Sequence, residues 1–219
     1  MKYRCLVLDH DDTVVQTEKT IGFPYFRNYI EKIRPGMTLT FPEYVRDCNN
    51  TVFADMCRQR WNMTEAELSE EYLGWKAYSR IHAPAVCDGI GEVILRQKEA
   101  GGLVCVSSLS TREIIERDFL HHFGFLPDAI YDNDLPAHQR KPNTYALERI
   151  MEDFSLEPED ILMVDDMKLG WAMASAIGAD TAFAGWSKQE FPELSAQMRA
   201  LCRYSFDSPR DLEKFLFEL

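Results

Sequence analysis

The sequence predicts an α/β protein built on a doubly wound parallel sheet, with a small helical domain inserted near its start. Three observations support this fold class: an apolar run at residues 3–8, a following block with helical spacing only, and a regular alternation of strand-like and helix-like segments from about residue 84 onward. Such alternation favours parallel strands with helices on both faces of the sheet, joined by right-handed crossovers.

The predicted sheet begins with residues 3–8, whose continuous apolar character is typical of a buried strand. Residues 17–83 then carry apolar side chains at three- and four-residue spacing, and they show no strand alternation. The segments predicted as helices are 25–33, 50–61 and 64–82, with the stretch MTLTFPE at 37–43 interpreted as an interruption.

The last of these helices has a recognisable start signal. Thr64 is followed three residues later by Glu67, which is the pattern of a capping box. Because the residue pattern changes from strand-like to purely helical and back, we predict two domains: a sheet-containing core of residues 1–16 and 84–219, and a helical domain of residues 17–83.

The remainder of the chain supplies the other strands and helices. Pro142 is predicted at the first position of a helix, where its missing N–H is not needed. The predicted strands are 103–107, 128–132, 160–166 and 180–186, and the predicted helices are 90–100, 110–123, 142–154, 169–178 and 208–219.

The composition of the chain restricts its possible binding partners and its location. The 219 residues carry a formal net charge of −12, which opposes sequence-independent binding to nucleic acid. No apolar run is long enough for a membrane span, and the first residues lack the pattern of a signal peptide, so we expect a cytoplasmic protein. The six cysteines have neither disulfide-framework nor zinc-ligand spacing. The oligomeric state is left open.

Acidic residues are crowded directly after the first predicted strand. Asp9, Asp11 and Asp12 fall within four residues of one another in the stretch LVLDHDDT. Carboxylates this close repel each other, so the fold must supply a compensating group such as water, a helix N-terminus or a bound cation. Alone, this pattern is equally consistent with a solvated turn, because Asp and Thr readily cap helices.

Polar residues also stand at the ends of other predicted strands and before a predicted helix. Ser107 ends the strand at 103–107, Asp165 and Asp166 end a later strand, and Lys141 precedes a predicted helix. The carboxyl ends of parallel strands share one edge of the sheet, where ligands of open α/β sheets bind. A carboxylate nucleophile, a hydroxyl, an ammonium group and carboxylate ligands for Mg²⁺ together suit phosphoryl transfer.

These motifs resemble the haloacid dehalogenase superfamily, which consists mostly of phosphatases and phosphotransferases. The stretch LVLDHDDT looks like the DxDxT signature of that superfamily, and Ser107, Lys141 and the Asp165–Asp166 pair follow in the order of its other motifs. The resemblance spans about residues 3–183, and the helical block at 17–83 stands where the superfamily inserts a C1-type cap.

The resemblance implies a role for each residue. Asp9 would be the nucleophile and a metal ligand. Asp11 would be the acid/base and offer its backbone carbonyl to the metal, while Thr13 would support the loop. Ser107 and Lys141 would hold the phosphoryl group. Asp166, with Asp165 as the other possibility, would complete the Mg²⁺ site.

Two departures from the superfamily pattern stand out. Asp12 occupies a position where a small residue is usual, and it adds a charge of unassigned purpose. The common GDxxxD form of the last motif is absent, because Gly170 stands where its final Asp would be.

The function indicated is a Mg²⁺-dependent phosphomonoesterase that acts on a small phosphorylated metabolite through an aspartyl-phosphate, similar to phosphoglycolate-phosphatase-type members. A β-phosphoglucomutase-like phosphotransferase shares all four motifs and stays open as an alternative. So does a non-catalytic phospho-receiver or metal-binding module, although a receiver has its acidic pair first and its Lys last.

Overall fold

In the computed structural model, which describes residues 1–218, the core unit is a six-stranded, wholly parallel sheet with helices on both faces. The strand order β3-β2-β1-β4-β5-β6 is that of a doubly wound fold, so the predicted fold class is confirmed. The strands are β1 (Cys5–Leu8), β2 (Leu103–Ser107), β3 (Ala129–Tyr131), β4 (Ile161–Asp165), β5 (Asp180–Ala184) and β6 (Tyr204–Phe206).

Ten α-helices lie in the described part of the chain. They are α1 (Phe23–Ile33), α2 (Phe41–Asn50), α3 (Phe53–Trp61), α4 (Glu65–Ile81), α5 (Ile90–Glu99), α6 (Arg112–Phe123), α7 (Tyr145–Phe154), α8 (Lys168–Ala176), α9 (Pro192–Leu201) and α10 (Pro209–Phe217). A π-helical turn, Glu18–Gly22, precedes α1. No helix in residues 1–218 is both long enough and apolar enough to cross a membrane.

The chain divides into two compact units, residues 1–15 with 86–218 and residues 16–85. The first unit contains the sheet. Alternate residues of β1 face opposite ways: Leu6 and Leu8 pack with α5, α6 and α10, whereas Cys5 and Val7 pack with α7 and α8. Burial on both faces explains why this strand is a continuous apolar run rather than an alternating one.

The second unit consists of the π-helical turn and helices α1 to α4. Its core is aromatic: the rings of Phe26 and Phe53 meet edge to face, 4.9 Å between centroids, and Phe26 also contacts Tyr44. The capping box predicted at Thr64 and Glu67 is present at the start of α4.

Three details differ from the sequence-based expectations. The stretch at 37–43 is not only an interruption, because Thr40 and Glu43 form a capping box that begins α2. Helix α7 begins at Tyr145, so Pro142 lies in the preceding loop. Helix α9 and strand β6 were not predicted, although Pro192 at the start of α9 is a helix-start signal; β6 is only three residues long. The last residue of the predicted C-terminal helix, Leu219, lies outside the described residues.

Candidate active site

The strand register brings the predicted site residues into one row. In the parallel ladder Leu8 of β1 is level with Val106 of β2 and with Val164 of β4. The next residue on each strand is therefore Asp9, Ser107 and Asp165, at the carboxyl edge of the sheet. The backbone N–H of Asp9 donates to the carbonyl of Val164 at 2.9 Å, which extends the ladder into the site.

The loop after β1 turns back sharply. The carbonyl of His10 accepts from the backbone N–H groups of Val14 and Val15, at 2.9 and 3.1 Å, and the N–H of Asp12 donates to the carbonyl of Val15. Asp12 has a φ of +55°, a left-handed conformation that Asp tolerates better than most residues do. This turn keeps the acidic side chains at the strand end.

Lys141 joins the carboxylates of two neighbouring strands. Its ammonium group donates to Oδ1 of Asp9 at 2.8 Å and to Oδ2 of Asp165 at 2.7 Å, and its side chain is buried. The other oxygen of Asp165 accepts from the backbone N–H of Met167 at 2.8 Å. Both oxygens of Asp165 are thus engaged by the protein.

Asp9, Asp165 and Asp166 form a buried acidic cluster. Each offers a carboxylate oxygen, and these three atoms lie within 4.8 Å of one another. Burial raises the pKa of Asp9 to about 6; the charges of Asp165 and Asp11 add to this effect and Lys141 opposes it. Burial likewise raises the pKa of Asp166 well above its ordinary value, against the opposing charge of Lys188.

A second buried lysine lies beside this cluster. The ammonium group of Lys188 is 2.7 Å from Oδ2 of Asp12 and 2.7 Å from Oδ2 of Asp166. Lys188 was not among the residues predicted for the site, although its place after β5, at the same edge of the sheet, is a signal that points to it. Asp12, whose purpose the sequence left unassigned, therefore has a buried cationic partner.

The charges of the two lysines do not balance the acids. Four buried carboxylates, those of Asp9, Asp12, Asp165 and Asp166, surround the ammonium groups of Lys141 and Lys188. With all six groups ionised, two negative charges remain, which one divalent cation would neutralise. Hard carboxylate oxygens are the ligands Mg²⁺ prefers, so the residues present fit the ion that the resemblance implies.

Asp166 is better placed than Asp165 to be a metal ligand. Among the described residues Asp166 is paired only through Oδ2, by Lys188, whereas both oxygens of Asp165 accept hydrogen bonds. A carboxylate oxygen that already accepts a hydrogen bond from an ammonium group is a weaker ligand for a cation. The assignment of the metal ligand to Asp166, which the resemblance implies, stays a prediction.

Asp11 lies apart from the cluster. Its side chain is partly exposed, and Oδ1 is 3.5 Å from Nδ1 of the fully buried His10. On the other side of the ring, Nε2 of His10 is 3.3 Å from Oδ2 of Asp118. Burial alone would lower the pKa of His10, but the two carboxylates outweigh it and raise the pKa to about 9. His10 therefore lies between the carboxylates of Asp11 and Asp118, and within the described residues neither of its ring nitrogens makes a hydrogen bond.

Ser107 and Thr13 are both buried at the site edge. The hydroxyl of Ser107 is 3.9 Å from Sδ of Met173, a weak contact that leaves it free to turn toward a ligand. The carbonyl of Thr13 accepts from Nε1 of Trp186 at 3.2 Å, which ties the loop after β1 to the residues after β5.

A family model described as haloacid dehalogenase-like hydrolase matches residues 6–184 of the chain. No curated protein sequence matches this chain significantly.

Solved structures share its fold at low sequence identity. One is CbbY from Rhodobacter sphaeroides in complex with phosphate, with a TM-score of 0.74, 17% identity and 96% of each chain covered. Another is a putative haloacid dehalogenase-like hydrolase from Bacteroides fragilis, with a TM-score of 0.79, 16% identity, and 96% of this chain and 100% of that one covered. A putative phosphoglycolate phosphatase from Lactobacillus delbrueckii subsp. bulgaricus has a TM-score of 0.76 and 14% identity, with both chains fully covered at 100%.

Proposed function

Because the chain belongs to the haloacid dehalogenase-like hydrolase family, we propose that it is a Mg²⁺-dependent phosphomonoesterase acting on a small phosphorylated metabolite through an aspartyl-phosphate intermediate. One observation carries the proposal: Asp9, Lys141, Asp165 and Asp166 meet at the carboxyl edge of the sheet with fewer positive than negative charges. The phosphate bound by CbbY, a protein of the same fold, supports a phosphorylated substrate.

Asp9 is the proposed nucleophile. Its carboxylate attacks phosphorus, forming a bond from a carboxylate oxygen to phosphorus while the bond from phosphorus to the ester oxygen breaks. Lys141 donates to Oδ1 of Asp9 at 2.8 Å, which orients the carboxylate, and its charge opposes the burial that raises the pKa of Asp9 to about 6.

The transferring group needs positive charge and hydrogen-bond donors. Lys141 offers the remaining N–H of its ammonium group, and Ser107 offers its hydroxyl from the neighbouring strand end. Mg²⁺, held by Asp9, Asp166 and the backbone carbonyl of Asp11, would bring the anionic phosphate and the anionic carboxylate together by neutralising their charge.

Asp11 is the proposed general acid and base. It stands two residues after the nucleophile and is partly exposed, as a group that exchanges protons with a leaving alcohol and with water must be. It protonates the ester oxygen as that oxygen leaves, then takes a proton from the water that hydrolyses the aspartyl-phosphate. The ring of the buried His10 lies beside it, with Nδ1 3.5 Å from Oδ1 of Asp11.

We assign the helical unit of residues 16–85 as the C1-type cap, on the ground that it is inserted between β1 and β2, after the DxDxT stretch. This assignment follows the family resemblance.

The test is a screen of purified protein against a panel of phosphorylated metabolites with Mg²⁺, measuring release of inorganic phosphate. The panel contains short-chain acid phosphates, sugar monophosphates and sugar bisphosphates, and the Asp9→Asn variant is the blank. Phosphate release by the wild type alone supports the proposal. Rearranged substrate without net phosphate release would show a phosphomutase instead, and a stable phosphoprotein without turnover would show a receiver.

A further inference from the structure

The ion pair of Lys188 with Asp12 and Asp166 has no counterpart among the four motifs that suggested the activity. Lys188 lies after β5, and Asp12, one of its partners, is 176 residues away along the chain. The side chain of Lys188 has no exposed surface. A fully buried ammonium group is expensive unless it is paired, so the fold retains it only with close anionic partners.

We propose that Lys188 is a positioning residue of the metal site, which holds Asp166 in the orientation that Mg²⁺ requires and is itself held by Asp12. The inference rests on the proposed function, since it concerns the same Mg²⁺ site. It also assigns a role to Asp12, the charge that departs from the superfamily pattern.

The geometry supports a tether. The ammonium group of Lys188 pairs with Oδ2 of Asp166, so that Oδ1 is left for the metal. The same ammonium group also donates a hydrogen bond to Oδ2 of Asp12. The loop after β1, which carries Asp9, is thereby joined to Asp166, the proposed metal ligand that directly follows β4. Mg²⁺ demands a near-ideal octahedral arrangement, so the orientation of each carboxylate matters to its affinity.

The backbone of Lys188 is anchored as well. Its N–H donates to the carbonyl of Gly185 at 3.1 Å, and its carbonyl accepts from the hydroxyl of Ser195 at 2.9 Å. The ammonium group therefore extends from a fixed point, as a residue that orients another must.

A simple charge effect predicts the opposite result to a tether. If Lys188 only offsets negative charge, its removal leaves the site more anionic and Mg²⁺ binds more tightly. If Lys188 positions Asp166, its removal frees two buried carboxylates that repel each other, and Mg²⁺ binds more weakly. The sign of the change in affinity separates the two.

The experiment titrates Mg²⁺ into metal-free protein by isothermal calorimetry, for the wild type and for the variants Lys188→Met, Lys188→Arg, Asp12→Asn and the Asp12→Asn/Lys188→Met double variant. The control is Lys98→Met, which removes an ion pair with Asp128 beside the start of β2, at the opposite edge of the sheet. Circular dichroism and thermal unfolding verify that each variant is folded.

We expect Lys188→Met to weaken Mg²⁺ binding about tenfold or more, and Lys188→Arg to stay within about threefold of the wild type because it keeps the charge. Asp12→Asn should weaken binding less than Lys188→Met does. The double variant should match Lys188→Met alone, because residues acting as one unit are not additive. In turnover, the Mg²⁺ activation curve of Lys188→Met should shift to higher concentration with KM for the substrate unchanged.

Unchanged or tighter Mg²⁺ binding by a folded Lys188→Met variant would overturn the role of Lys188 and leave the proposed function standing. If that variant does not fold, Asp12→Asn decides, and wild-type affinity there overturns the inference. A wild type that binds no Mg²⁺ would refute this inference and the proposed function together.

Discussion

A Cβ added at Gly170 would lie 2.1 Å from Oδ2 of Asp165 and 2.5 Å from its carboxyl carbon. Helix α8 carries Gly170 directly against the residue that ends β4. The absence of a side chain there is what allows Asp165 to reach Lys141. A side chain at position 170, such as the final aspartate of the GDxxxD form, would collide with Asp165 as it stands here.

Gly170→Ala should therefore disable the site without touching a catalytic group. The new methyl group forces the side chain of Asp165 aside and breaks its 2.7 Å contact with Lys141. We expect turnover to fall by about an order of magnitude or more, the size of effect that misplacement near the reacting groups produces.

The matched control is Gly91→Ala in α5, where a Cβ would only touch the ring of Phe123 at 3.5 Å. It should keep full activity and gain up to about 1 kcal/mol of stability from the better helix propensity of Ala. Equal activity of the two variants would show that the Gly170 contact is unimportant.

Asp9→Asn should abolish turnover and leave the fold intact. An amide cannot form the aspartyl-phosphate, and the pKa of Asp9 is already raised to about 6 by burial, so neutralising it costs the folded state little. We expect activity to fall by about three orders of magnitude or more in a phosphate-release assay.

Asp160→Asn serves as the comparison, because that carboxylate pairs with Arg4 at 3.1 Å at the start of β4, away from the site. It should retain wild-type turnover. Substantial activity in Asp9→Asn would remove Asp9 as the nucleophile.

Removal of the metal should affect both activity and stability. With the four buried carboxylates and two lysines of the site ionised, two negative charges are unbalanced, so Mg²⁺ should bind the folded chain and not the unfolded one. We expect chelation with EDTA to stop turnover and excess Mg²⁺ to restore it. At a hundredfold excess over Kd the ion should raise the free energy of unfolding by about 2.7 kcal/mol, measured by thermal unfolding. Full activity in EDTA would contradict the charge argument.

The helical unit should show its own pH dependence through Glu71. Burial raises the pKa of Glu71 to about 8 in the folded chain, from an ordinary value near 4.5. Folding therefore favours the protonated form. Its contribution to stability is complete below about pH 4.5 and is lost as the pH rises through about 8, where the buried group must ionise.

Glu71→Gln, which cannot ionise, should flatten that loss. Each pKa unit is worth about 1.4 kcal/mol, so the variant should be more stable than the wild type by several kcal/mol above pH 8, relative to their difference at pH 4.5. Chemical denaturation across this range measures it. Glu70→Gln, an exposed neighbour paired with Lys32, should keep the wild-type slope. Parallel pH profiles for Glu71→Gln and the wild type would show that Glu71 is not the group responsible.

Most of the fold and much of the candidate site could be predicted from local pattern. Apolar runs predicted strands β1, β2, β4 and β5. Because parallel strands share a direction, the polar residues that follow these strands were expected to lie together at one edge of the sheet. Helix α2 was missed although Thr40 and Glu43 carry a readable capping signal. Helix α9 was also missed, although Pro192 stands at its start and Leu194, Met198 and Leu201 follow at helical spacing.

The amino-acid sequence alone determined which carboxylate, hydroxyl and amine side chains are present and which strands they follow. This was possible because a strand or a helix is specified by residues that are neighbours in the sequence. Tertiary structure alone decided how the charges pair. Lys141 lies 132 residues from Asp9, and Lys188 lies 176 residues from Asp12. No local pattern encodes such partners, because whether a lysine is solvated at the surface or buried between two carboxylates depends on which strands the sheet places side by side.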